Sequence, residues 1–307
     1  MVETSVIMAT YKESIECLKQ SIESIINQTY NDFEFIIILD NPDNKEHIAF
    51  ISDYVCKDER IKFYINDKNM GLTNTLNRGL KLAEGKYICR MDADDISELY
   101  RMEHQKKYLE ENDFDLIGGI SQMIDEDGNT IYSIKKVPTN FKKIKKCIKY
   151  NQVISHPTWF GKKEVFDKLN GYRNMPLCED YDFTLRAILQ GFKISNVNEC
   201  VLKYRMTKDS ISRSNLFEQY LFARYITKQY SEGKVSEVEE AKAYVKKNLS
   251  DKNAKRYLKG NERFNNALNN LEEKQYIQFI ANGIALLFTS KYYLDKIFRF
   301  VMVYLNS

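Results

Sequence analysis

The stretch Lys86-Tyr-Ile-Cys-Arg-Met-Asp-Ala-Asp-Asp95 decides how this chain folds. Lys86 to Met91 is a short run rich in strand-forming residues, and Asp92-Ala-Asp-Asp95 follows it at once. Such a run, closed by turn-forming acids, reads as a buried strand ending in a carboxylate cluster. The same rhythm recurs upstream. Ser5 to Ala9 reads as one strand, Phe33 to Leu39 (FEFIIIL) as a second ending at Asp40, and Ile61 to Ile65 as a third. Between them Ile15, Leu18, Ile22, Ile25 and Ile26 recur at helical spacing, and Leu72, Leu76, Leu80 and Ala83 mark a further helix. This alternation predicts an α/β fold, a Rossmann-like, mostly parallel sheet flanked by helices. Parallel strands are buried on both faces, which is why FEFIIIL does not alternate.

Past Asp115 the pattern is mixed. A strand is expected at Asp115 to Gly118, a turn at Asp125-Glu-Asp-Gly128, a basic helix over Lys142 to Lys149 and a strand over Val153 to Phe160. From Leu216 the chain reads as helical and polar. The expected division is a catalytic domain over 1–215 and a helical C-terminal extension over 216–307. In the extension Leu294, Ile297, Phe298, Val301 and Leu305 form a helical stripe flanked by Lys291, Lys296 and Arg299. Such a stripe packs on its own domain or in a homodimer, the favoured reading, or lies on an anionic membrane.

The 307 residues carry 46 basic and 43 acidic side chains, a formal net charge of +3, which gives no reason to invoke nucleic acid as a partner. Six cysteines show no CxxC pair and read as free thiols of a reducing compartment. The N-terminus lacks a basic region followed by a long apolar run, and the longest apolar candidate, Ile280 to Phe288, is too short to cross a bilayer and holds Asn282 and Gly283. The expectation is a cytoplasmic protein, peripheral on the inner face of the cell membrane if it touches one.

Ligands of open α/β sheets bind beyond the carboxyl ends of the strands, where Asp40, Asp92, Asp94 and Asp95 fall. With no basic residue read among them, the last three should repel one another unless a cation joins them. A hard divalent ion, Mn²⁺ or Mg²⁺, suits oxygen ligands and can bridge a diphosphate. The plain alternative is an acidic turn in which Asp95 caps the following helix. A second cluster, Glu179-Asp180-Tyr181-Asp182, precedes a helical stretch. Helix-start acids are favoured by the macrodipole alone, and one of the three is also a candidate general base toward an acceptor hydroxyl.

Seven ordered blocks extend these observations: SVIMATYKE (5–13), SIINQTYNDFEFIIILDN (24–41), NMGLTNTLNRGLKLAEGKYICRMDADD (69–95), SHPTWFGKKEVF (155–166), NGY (170–172), EDYDFTLR (179–186) and YRMTKDSIS (204–212). In these the chain resembles the bacterial inverting glycosyltransferases of family 2, which have the GT-A fold and include capsule and lipopolysaccharide sugar transferases. The resemblance implies transfer from a nucleotide-diphosphate sugar, a UDP-sugar above all, to a saccharide or lipid-linked saccharide acceptor. It places Thr10, Tyr11, Lys12 and Glu13 along the nucleotide pocket and Asp40 against the base. Asn69, Gly71 and Asn77 are donor-site expectations beside a plain turn-and-helix reading. Asp92 and Ala93 fall at the donor, Asp92 near the ribose, and Asp94 on the metal. Asp180 is the implied base, with Glu179 beside it. Arg101 is expected to face the phosphates, and His156 and Arg205 to lie near the diphosphate and acceptor, although Arg205 could instead pair with Asp209. A phosphatase built on a DxD pair is the rival enzyme, but its aspartates would follow the first strand. A non-catalytic nucleotide-sugar-binding scaffold is the other alternative. No G-x-G-x-x-G follows the first strand, which disfavours an oxidoreductase.

Overall fold

The structure, a computed structural model, describes residues 2–207 and 215–307. The chain divides into two compact units. One comprises Met1–Lys145, Gln152–Asn174 and Glu179–Lys208; the other comprises Lys146–Asn151, Met175–Cys178 and Asp209–Ser307. Positions 208–212 of the YRMTKDSIS block, Asp209 included, lie outside the described residues.

The first unit opens with β1 (Thr4–Thr10), α1 (Ile15–Ile26), β2 (Phe33–Leu39), α2 (Lys45–Lys57), β3 (Ile61–Ile65), α3 (Leu72–Leu82) and β4 (Tyr87–Asp92). These strands pair in parallel in the order β3-β2-β1-β4. Every residue of β2 is buried. Ser14 caps α1 by accepting from the Cys17 amide, which sets the register that sends Leu18, Ile22 and Ile25 inward. They pack with Val6, Met8, Phe35, Ile37, Cys89 and Met91 in one core. All three strand-to-helix turns therefore open at one edge of the sheet.

The second half is mixed. It holds β5 (Ile96–Ser97), α4 (Arg101–Glu111), β6 (Leu116–Ile124), β7 (Thr130–Ser133), α5 (Phe141–Cys147), β8 (Phe160–Lys162), α6 (Lys163–Lys168), α7 (Glu179–Leu189) and β9 (Ile194–Arg205). The sheet continues from β4 through β8, β6, β9 and β5, with β7 on β6. β8 runs antiparallel to both neighbours, and β6 runs parallel to β9. The expected strand over Val153 to Phe160 is not formed. A single 3-10 turn, His156–Thr158, stands there, and β8 starts only at Phe160. Pro157 carries no amide hydrogen for a ladder, and the Val153 carbonyl is taken by the Asn196 side chain. β6 runs on to Ile124, well past the expected end at Gly118, because β9 lies alongside it.

The second unit is helical: α8 (Leu216–Ser231), α9 (Val238–Asn248), α10 (Asp251–Glu272), α11 (Tyr276–Leu287) and α12 (Lys291–Asn306). Its core is aromatic. Phe217 packs against Tyr257 and Tyr292 with ring centroids 5.1 and 5.2 Å apart, and Tyr293 meets Tyr257 at 5.1 Å. Tyr293 rests on Gly260, where a Cβ would come within 2.7 Å of its ring. Of the expected stripe of α12, Leu294 and Ile297 are half-buried and Phe298, Val301 and Leu305 are exposed, while Tyr292 and Tyr293 are the buried residues. Among the described residues, no helix is long and apolar enough to cross a membrane.

Candidate active site

The acidic turn grows directly out of β4. Asp92 ends the strand beside Ala9 of β1, and the Ser21 hydroxyl donates to its carbonyl at 2.8 Å. A basic residue does stand with the cluster, contrary to the sequence reading. Arg90 is buried in β4, and its guanidinium donates to the Asp92 carboxylate and the Met91 carbonyl. Asp95 is fully buried. Its Oδ1 accepts from the Arg205 amide at 2.8 Å, while its Oδ2 is buried without a hydrogen-bond partner. Asp95 therefore does not cap α4, which begins six residues later with Tyr100 at the capping position. Burial, followed by Asp92 and Asp94, pushes the Asp95 carboxyl well above its usual range. Asp94 is pushed up to about 7 by burial, then by Asp92 and Glu13.

The second acidic cluster opens α7. Asp180 Oδ1 accepts from the Tyr181 amide at 2.7 Å, and Oδ2 lies 3.4 Å from Gln152 Nε2, which also donates to Thr184 Oγ1. Burial raises the Asp180 carboxyl above its ordinary value, and Asp92 adds to the shift. Glu179 is raised to about 7 by burial and by Asp180, with a further push from Asp92. The strand-end turn and the helix start therefore act on each other: Asp92 raises Asp94, Glu179 and Asp180 alike. Asp182 has a different fate, bound by Arg173 and at 2.8 Å by Arg186, as a brace inside the fold.

The remaining site expectations divide. Thr10 Oγ1 and the Tyr11 amide both donate to Glu13, at 2.6 and 2.8 Å, which shapes the turn after β1 and leaves the Tyr11 ring exposed. Ala93 is buried between the acids. Asp40 is taken up by the side chain and backbone that follow β3. Its oxygens accept from Asn66 Nδ2 at 2.6 Å and from the Met70 and Gly71 amides at 2.8 Å. Asn69 Oδ1 also accepts from the Gly71 amide. Gly71 starts α3 at φ 78 and ψ 157, a backbone region open essentially to glycine alone. Asn77 fastens both backbone groups of Tyr172, at 2.8 Å each, so its amide is spent on the fold.

Two cationic expectations are corrected in the same way. Arg101 does not face the cleft: it is buried, with hydrogen bonds to Gln105 and to the carbonyls of Arg90, Pro157 and Trp159. Arg205 spends its guanidinium on the carbonyls of Asp94, Asp125 and Glu126 and on Gln20, so it supports the acidic turn from behind. His156 Nε2 meets the Tyr172 hydroxyl at 2.9 Å, with the ring edge-on to Trp159 at 4.6 Å. Burial first, then the Arg90 cation, holds its imidazole well below the usual range, so the ring is neutral at pH 7. Sequence reasoning missed Arg90 and Gln152. Only Arg90 left a signal, a cation inside a strand buried on both faces.

Among the described residues, no three His, Cys, Asp or Glu side chains converge to hold a metal ion by themselves. The acidic turn nevertheless fits one. Asp92, Asp94, Asp95 and Glu13 gather negative charge, and Asp95 Oδ2 lacks a partner. A hard cation held by one or two carboxylates and completed by phosphate oxygens matches that donor set.

Comparison with known proteins identifies the family and the fold. The chain is 40% identical over 231 residues to an uncharacterised glycosyltransferase of Methanocaldococcus jannaschii, covering 75% of this chain and 80% of that one. It is 35% identical over 228 residues to the O-antigen biosynthesis glycosyltransferase WbnJ of Escherichia coli, covering 74% and 88%. It is 30% identical over 237 residues to the Escherichia coli UDP-Gal:alpha-D-GlcNAc-diphosphoundecaprenol beta-1,3-galactosyltransferase, covering 73% and 86%. Among solved structures it resembles the mannosyltransferase PcManGT of Pyrobaculum calidifontis in complex with GDP-Man and Mn²⁺, at 15% identity and a TM-score of 0.60, covering 80% and 70%; this likeness is one of fold, GT-A. The model of glycosyl transferase family 2 matches residues 5–169, and the chain belongs to that family.

Proposed function

We propose that this glycosyltransferase is metal-dependent and inverting, and that it takes a UDP-sugar to a hydroxyl of a saccharide or lipid-linked saccharide acceptor. The observation that carries the reading is the pair of acidic elements: the turn after β4, where Asp95 Oδ2 is buried without a partner beside Asp92 and Asp94, and the start of α7, where Gln152 and the Tyr181 amide meet Asp180. Asp94 would hold the cation, Mn²⁺ or Mg²⁺, with Asp92 beside it. When bound, that ion supplies positive charge where the leaving diphosphate develops its negative charge. Arg90 fixes the Asp92 carboxylate, and Arg205 fixes the turn through the Asp94 carbonyl.

Asp180 acts as the base. Its shift above the ordinary carboxylate range moves it toward the pH at which a base works best. Gln152 and the Tyr181 amide hold its two oxygens in place. The acceptor oxygen forms its bond to the anomeric carbon as the carbon–phosphate oxygen bond breaks, and the acceptor proton goes to Asp180. Attack from the face opposite the leaving group inverts the anomeric centre, through an oxocarbenium-like transition state. The UDP assignment draws support from the galactosyltransferase relative. The test is a screen of nucleotide sugars for donor hydrolysis with Mn²⁺, which needs no acceptor. Hydrolysis of a UDP-sugar that stops in EDTA is expected; hydrolysis unaffected by EDTA, or of no UDP-sugar, contradicts the reading.

A further inference from the structure

We infer that the outward faces of α11 and α12 dock the chain on an anionic lipid bilayer surface. Tyr276, Ile277, Ile280, Ile284, Leu287 and Phe288 recur on one side of α11, and all are exposed; Ile277 is 82% exposed and Phe288 79%. The opposite side is already used, with Leu286 buried. An isolated exposed apolar residue needs no explanation, whereas a contiguous face of this kind marks an interaction surface. On α12, Phe298, Val301, Tyr304 and Leu305 extend the pattern, with Tyr304 77% and Leu305 71% exposed.

Three features select lipid over a second copy of the chain. No charged residue stands between Lys274 and Lys291, so the apolar face of α11 runs without a charge that would have to be desolvated among acyl chains. Those two lysines flank it, both exposed, where long cationic side chains reach phosphate groups while their neighbours enter the apolar layer. The charge is also placed for an anionic surface. Residues 215–307 hold fifteen Lys and Arg against ten Asp and Glu, an excess that the rest of the chain lacks. Phe298 itself lines a 340 Å³ pocket with Lys149, Arg224, Lys228 and Arg299 against the single carboxylate of Asp295. That pocket sets cations beside an exposed aromatic, the arrangement a phospholipid headgroup meets at the interface.

Sedimentation of the full chain with vesicles tests this. Vesicles of phosphatidylcholine with phosphatidylglycerol should bind the chain, pure phosphatidylcholine should bind it more weakly, and the double variant Ile280→Glu/Ile284→Glu should lose at least tenfold in affinity. Both positions are exposed, so the variant should keep the wild-type circular dichroism and its hydrolysis of a soluble UDP-sugar. That activity separates failure of this inference from failure of the donor-site reading. Hydrogen exchange on the wild type, which needs no variant, should slow over 276–288 when anionic vesicles are added. Absence of vesicle binding, equal binding by the double variant, or a wild-type dimer that the double variant dissociates in light scattering would overturn the inference.

Discussion

Replacing Asp94 by Asn should stabilise the metal-free protein at neutral pH, the reverse of what most substitutions do. Burial, Asp92 and Glu13 hold Asp94 up to about 7. In the unfolded chain an aspartate titrates near ~3.9. Between those values the folded protein holds a proton that the unfolded chain has released, so stability falls as pH rises through this window and levels off above it. Three pKa units correspond to about 4 kcal/mol. Asp95 shares the same field, and a relaxing, partly hydrated site reduces the figure to roughly 2 kcal/mol. Asparagine carries no charge, so Asp94→Asn removes this cost at pH 7.5 and changes little at pH 4, where Asp94 is already protonated. Urea unfolding of both proteins in EDTA, across that range, reads the difference. The variant should gain ~2 kcal/mol at pH 7.5, with the gap closing toward pH 4. A variant less stable than the wild type at pH 7.5, or a gap that does not move with pH, refutes the argument.

Other substitutions separate catalytic from supporting residues. Asp180→Asn should lower turnover by on the order of 10²–10⁴ with UDP affinity nearly unchanged; if Glu179→Gln does this and Asp180→Asn does not, the base is Glu179. Arg101→Met leaves buried carbonyls without donors and should cost ~2–5 kcal/mol in urea unfolding. Weakened UDP binding at unchanged stability would instead return Arg101 to the phosphates. Gly71→Ala should cost ~1–3 kcal/mol because its φ of 78 and ψ of 157 suit glycine alone; a stability equal to the wild type would mean that the turn relaxes freely.

The parallel half of the sheet was readable because its strands are short, mostly apolar runs, two of which, β2 and β4, end at acids. FEFIIIL and IKFYI are β2 and β3 to the residue. Family membership leaves no room for the phosphatase and oxidoreductase alternatives. The antiparallel half was harder. β9 begins Ile-Ser-Asn-Val-Asn-Glu, too polar to stand out, and the segment around Pro157 is apolar for packing rather than for pairing. The acids of the site announced themselves by position. The roles of Arg101, Arg205 and His156 did not, since a sequence shows that a cation or imidazole is present but not whether carbonyls or a tyrosine hydroxyl already occupy it. The face of α11 stayed hidden for a related reason: ten of its twelve residues, Tyr276–Leu287, suit either a core or a surface that binds lipid, and only the fold shows which side is left bare.

Calorimetric titration of UDP into the wild type and Asp94→Ala, each with Mn²⁺ and with EDTA, bears most directly on the acidic turn as a cation seat. The wild type should bind UDP tightly with Mn²⁺ and at least tenfold more weakly in EDTA, while Asp94→Ala should bind weakly in both. Equal affinity of the two proteins in Mn²⁺ would contradict the account.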